Sequence, residues 1–209
     1  MTAAPVTQPS TLLDWSVAER AFAGETECGD ACVVAPFAGG VLVGVIDGLG
    51  HGPEAAEAAR VAIGSLKAAA AAQVIDLVRS CHDALRHTRG AALSIASFHE
   101  ATGTMTWIGI GNVEGALFRI DRNAPQPRDA LMLRGGVVGY QLPPLRAATH
   151  QVHPGDVLVL ATDGISGGFY SRSPVGRAAQ EIAADILERY GKASDDALVL
   201  VATYLGGAP

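Results

Sequence analysis

What most limits the folds open to this chain is the order of its periodicities: short apolar runs, one long block of helix formers, then short apolar runs again. Three runs come first, over residues 12–22, 30–35 and 41–46, the last two joined by a turn containing Pro36 and Gly39-Gly40. From Pro53 the segment PEAAEAARVAIGSLKAAAAA has proline at the first helical position and two glutamates in its opening turns, which predicts a helix. A second helix is predicted over about residues 73–87, because Val74, Leu77, Val78, Cys81 and Leu85 recur at helical spacing. Strand-like runs resume over residues 92–99, 104–110, 114–120, 130–133, 147–152 and 157–161, with turn-like links such as Ala101-Thr102-Gly103 and Pro154-Gly155-Asp156. A last helix over about residues 175–190 and a strand over 197–204 complete the pattern. Strands in runs with helices grouped between them indicate an α+β fold of antiparallel strands, not an alternating βαβ sheet. The chain reads as a flexible N-terminus over residues 1–11 and one domain over residues 12–209.

Composition removes several functions. With 49% hydrophobic and 17% charged residues the chain is not disordered as a whole, and its 209 residues are enough for a sizeable core. A net charge of −6, two lysines and scattered arginines argue against nucleic acid as a partner. The most apolar stretch, residues 31–46, falls short of the roughly 20 residues a bilayer needs and is interrupted by Pro36 and Gly39-Gly40, so no membrane anchor is expected. The first residues lack the basic and apolar regions of a secretory signal, which makes the cytoplasm the expected location. Three cysteines, Cys28, Cys32 and Cys81, are expected to be reduced thiols.

Four aspartates carry the chemical information. If the loop between the second and third runs is centred between Ala38 and Gly39, antiparallel pairing sets Ala35 opposite Leu42 and Asp30 opposite Asp47. Directly opposed residues have Cβ atoms about 4.5 to 5.5 Å apart, and two carboxylates there repel unless a cation neutralises them. On the same face Cys32 lies beside Val45 and Val34 beside Val43, an apolar floor below the acidic pair. Asp163 ends the apolar run VLVLAT, and Asp196 precedes the run ALVLVATY. Asp-Gly is a common turn dipeptide, so Asp47-Gly48 or Asp163-Gly164 alone would mean only a turn. Taken together, four acidic strand ends in a charge-poor chain point to hard oxygen ligands for Mg2+ or Mn2+.

Other motifs fit a plainer account. Cys28 and Cys32 lack the Cys-x-x-Cys spacing of a zinc knuckle. Ser166 in GISGG lacks the order of a nucleophile elbow and is expected to bond backbone. GVIDGLGHG and RGGVVG lack the Lys-Ser/Thr of a P-loop. His82, His87, His99, His150 and His153 have no motif context and read as surface or packing residues.

The series GDA at Asp30, VIDGLGHGPEAA at Asp47 to His51, LATDGISGGF at Asp163 and SDDALVLV at Asp195-Asp196 resembles the protein phosphatase 2C superfamily (PPM), in its SpoIIE-like branch. The likeness extends over about residues 12–204, and GIGNVEG and RGGVVGYQLP are similar to the RsbX-type stressosome phosphatases of that branch. The resemblance implies a four-layer αββα sandwich and two Mn2+ or Mg2+ ions. It implies Asp47 as the bridging ligand, the Gly48 carbonyl in one shell, and Asp30, Asp163 and Asp196 as the other carboxylates. Asp195 ranks below Asp196 because the family aspartate immediately precedes the closing strand. The implied reaction is hydrolysis of phosphoserine or phosphothreonine by a water that the two ions activate. The proton for the leaving alkoxide comes from a water or from His51. The implied substrate is a phosphorylated STAS-domain regulator in a stressosome or an anti-sigma partner-switching module, met by a monomeric phosphatase. No basic residue is fixed as the phosphate anchor, with Arg20 and Arg134 as candidates. A catalytically silent binding module and a broad small-molecule phosphatase are the alternatives.

Overall fold

A computed structural model describes residues 6–7, 12–121 and 126–207. Among these residues, two six-stranded sheets stack face to face. In the first, the strand order is β1 (Val6–Thr7), β2 (Leu13–Arg20), β12 (Ala197–Tyr204), β11 (Val157–Ala161), β7 (Glu114–Phe118) and β8 (Arg128–Ala130). In the second it is β10 (Ala148–Gln151), β6 (Thr104–Ile110), β5 (Ala91–His99), β4 (Gly40–Gly48) and β3 (Asp30–Phe37), with β9 (Leu133–Arg134) beside β6. Pairing is antiparallel except for β6 with β9, which is parallel. Helices α1 (Pro53–Ala68) and α2 (Val74–Ala84) cover the outer face of the second sheet, and α3 (Ala179–Tyr190) covers the first.

The resulting αββα sandwich is the expected α+β architecture, and its layers follow from strand alternation. On β4, Val41, Val43 and Val45 point between the sheets, while Leu42 and Ile46 point to α1 and α2. Both faces of this central strand are therefore apolar, whereas a half-exposed strand would alternate with polar residues. Helix α1 buries Ala55, Ala58, Ala59 and Ala62, and these small side chains let its backbone sit close to the sheet. At Gly48 a Cβ would lie 2.1 Å from the carbonyl oxygen of Ala55, so only glycine permits this approach. Among the described residues, no helix is long and apolar enough to cross a membrane.

Several boundaries differ from those read in the sequence. Within the stretch expected to be flexible, Val6 pairs with Val17 and Thr7 with Ser16; residues 1–5 and 8–11 lie outside the described residues. The run over 130–133 divides into β8 and β9, each hydrogen-bonded to a different sheet, which local pattern cannot register. The last helix begins at Ala179, not near 175, and a 3-10 turn over Gly167–Ser171 precedes it. At the far end of the sandwich, buried Asp156 accepts from the amides of Ile120 (2.8 Å) and His153 (3.1 Å) and from Arg119, which also pairs with Asp129. His150 stacks edge-on against Trp107 there, and His82 accepts the Gly139 amide at 3.0 Å, so these histidines pack the fold.

Candidate metal centre

The β3–β4 hairpin has the register expected from its turn: Ala35 faces Leu42, Cys32 faces Val45 and Asp30 faces Asp47. Because Val43 and Val45 point between the sheets, Asp47 on the same face does too, at the open end of the sandwich. Strands β11 and β12 bring their own ends to this place. Asp163 follows β11, and Asp195 and Asp196 precede β12, its antiparallel partner. The sheets are tied there by Thr162, whose hydroxyl donates to Asp30 at 2.7 Å and accepts the Leu198 amide at 2.9 Å.

Electrostatics mark the spot as unfavourable without a cation. Burial first, and then the Asp47 carboxylate, raise Asp30 well above the usual carboxylate range, although the Thr162 hydrogen bond opposes this. Asp47 is pushed up to about 7 by burial and then by Asp163, with smaller contributions from Asp195 and Asp196 and an opposing hydrogen bond from Asn112. Asn112 also donates to Asp163 at 2.7 Å. Hard carboxylate oxygens that repel one another in a half-buried mouth suit Mg2+ or Mn2+ and not a soft metal. As the side chains stand, no group of three or more His, Cys, Asp or Glu among the described residues is placed to hold a metal ion.

The two adjacent acids near β12 do different things. Both oxygens of buried Asp196 are taken by backbone amides, Phe22 at 2.8 Å and Gly29 at 2.9 Å, so this carboxylate clamps the loop leading into Asp30. Asp195 is less buried; among the described residues it accepts the Asp196 amide at 2.9 Å, and it acts on Asp47 more strongly than Asp196 does. At Gly164 a Cβ would lie 1.8 Å from the Asp196 carbonyl oxygen, so Asp163 can approach this segment only with glycine beside it. His51 lies on the loop after β4 with Nδ1 2.7 Å from Glu25 and its ring 5.2 Å from that of Phe22. Ser166 bonds the Tyr190 carbonyl at 3.1 Å, the backbone role expected of it. Sequence reasoning missed Thr162, Asn112 and Glu25, whose partners lie 132, 51 and 26 residues away.

The raised carboxylates predict a pH dependence for metal-free protein. A folded-state pKa above the unfolded value means that the folded chain holds the proton more tightly, so stability from this group is full at low pH and falls as pH rises. For Asp47 the window runs from about pH 4 to its folded value of about 7. Chelator-treated protein should lose on the order of 2 kcal/mol between pH 5.5 and 8, and saturating Mg2+ should restore it progressively as pH rises. Denaturation at both pH values, with and without Mg2+, measures this; a flat profile contradicts it.

Two stacked antiparallel sheets between helices, with acidic strand ends gathered at one mouth, define the protein phosphatase 2C class of fold. The family model for Stage II sporulation protein E (SpoIIE) matches residues 38–205, and the chain belongs to that family. One solved structure is described as "The bacterial stressosome: a modular system that has been adapted to control secondary messenger signaling". It is 31% identical with a TM-score of 0.82, over 91% of this chain and 98% of that one. RsbX in complex with magnesium is 19% identical with a TM-score of 0.84, over 96% and 99% of the two chains. The catalytic domain of the serine/threonine phosphatase PstP, in complex with two manganese ions, is 17% identical with a TM-score of 0.65, over 93% and 99%. No curated protein sequence matches the chain.

Proposed function

We propose that this protein is a metal-dependent serine/threonine phosphatase acting on phosphoserine or phosphothreonine of a STAS-domain stress-signalling regulator. The observation that carries the reading is the in-register opposition of Asp30 and Asp47 at a mouth shared with Asp163 and Asp195. Asp47 and the Gly48 carbonyl form the centre of the proposed ligand set, flanked by Asp30 and Asp163. Asp195 is proposed in place of Asp196 as the remaining carboxylate, because each oxygen of Asp196 already accepts a backbone amide while Asp195 is more exposed.

When bound, two Mn2+ or Mg2+ ions supply the positive charge that a phosphate dianion requires and acidify the attacking water. The chain's own residues hold the ligands and manage the proton. Thr162 and Asn112 fix Asp30 and Asp163 by hydrogen bonds. Glu25 engages His51 through Nδ1, which leaves Nε2 to protonate the leaving alkoxide. The stressosome context of the 31% identical structure supports a phosphorylated regulator as substrate. The reading includes a monomeric, cytoplasmic enzyme with no nucleic-acid or membrane partner.

Purified protein should hydrolyse p-nitrophenyl phosphate with added Mn2+, stop with chelator, and release phosphate from phosphorylated STAS proteins. Turnover that ignores chelator removes the metal mechanism. Absence of turnover on every phosphoester tried favours the silent binding module.

A further inference from the structure

The acidic mouth raises a question of charge that its carboxylates do not answer. Asp30 and Asp47 face each other there, with Asp163, Asp195 and Asp196 at the adjoining strand ends, so a phosphate dianion approaches a strongly acidic mouth. A cation beside the proposed ligands would offset this field.

Lys192 stands in that position. It is one of two lysines in the chain, and it lies on the segment between α3 and β12. Its amide donates to the Gly164 carbonyl at 2.7 Å, and its Nζ donates to the Asp163 carbonyl at 2.5 Å. The ammonium is thereby held beside a proposed metal ligand, on an exposed residue, with a carbonyl and not a carboxylate as its partner. An ammonium has three donors, and the Asp163 carbonyl uses one. Arg89 pairs with Glu54, and Arg134 rests Nη2 on the Met132 sulfur at 3.6 Å. Arg20, a candidate anchor from the sequence, donates Nη2 to the Lys192 carbonyl at 2.8 Å and so braces the segment that presents the lysine.

We propose that Lys192 is the phosphate anchor of this site, binding a non-bridging oxygen of the phosphomonoester through Nζ while Arg20 positions its backbone. This rests on the phosphatase reading above and names the residue that the reading lacked. Lysine binds phosphate as a point charge, which suits an exposed mouth that must release its product.

Calorimetric titration of inorganic phosphate into Mg2+-loaded protein tests the assignment in wild type, Lys192→Met and Lys192→Arg. The dissociation constant should rise about tenfold in Lys192→Met and stay within about threefold in Lys192→Arg. Mg2+ affinity without phosphate should be unchanged or tighter, because a like charge has been removed; a merely structural lysine would instead lower Mg2+ affinity and thermal stability together. Phosphate binding in Lys192→Met equal to wild type, or no phosphate binding by wild type, overturns the assignment. The two readings separate cleanly. Mn2+-dependent turnover with unchanged phosphate affinity removes the anchor and keeps the phosphatase. Phosphate binding by wild type that weakens in Lys192→Met, with no turnover of any phosphoester, keeps the anchor and removes the phosphatase.

Discussion

Asp47→Asn should reduce Mn2+-dependent phosphoester hydrolysis by on the order of 1000-fold while making the metal-free protein harder to unfold. The two effects have one cause. The Asp47 carboxylate faces Asp30 across the hairpin, and its ionisation is opposed by burial and by Asp163. Asparagine keeps the shape, removes one charge from the repelling group and removes the central proposed ligand. A gain of about 1 to 3 kcal/mol without metal is expected, and Mg2+ should no longer raise the melting temperature. Thermal denaturation with and without Mg2+, beside the hydrolysis assay, reads both. A variant that keeps more than a tenth of wild-type turnover would place the reaction elsewhere, and one that unfolds more easily would mean that the opposed carboxylates are not strained.

Asp196→Ala should have the largest effect on stability, about 3 to 5 kcal/mol. Two amides, of Phe22 and Gly29, lose an ionised acceptor in a buried place, and each charge-assisted bond is worth about 1.5 to 3 kcal/mol. The loop they hold leads directly into Asp30, so metal binding should weaken as a consequence of loop disorder. Asp195→Ala is the contrasting case. Among the described residues its carboxylate accepts the next amide, so metal-free stability should change by less than about 1 kcal/mol while Mg2+ affinity falls. Urea denaturation and Mg2+ titration of both variants would show whether the neighbours divide the work in this way; equal stability losses would contradict it.

The hairpin at the heart of the site was legible because its information is local. A two-residue turn and a strand period of two determine register, and register placed Asp30 against Asp47 with Val43 and Val45 below. The helix block, most strand limits and the closing strand were readable for the same reason: periodicity is expressed within ten to twenty residues. The choice between Asp195 and Asp196 was not. Both precede β12, and only the position of Phe22 and Gly29 reveals which carboxylate is consumed by backbone. Thr162 was equally opaque, since a threonine after an apolar strand has no local sign that its hydroxyl will reach Asp30 in the other sheet.

Sequence alone therefore determined the α+β layering, the hairpin register and the set of acidic strand ends, because propensity, alternation and turn chemistry act between near neighbours. Tertiary structure decided which acid is held by backbone amides, which polar groups brace the others and where Lys192 stands, because stacking two sheets joins residues more than a hundred positions apart. A hydrogen bond between such residues depends on a distance that no stretch of local sequence encodes.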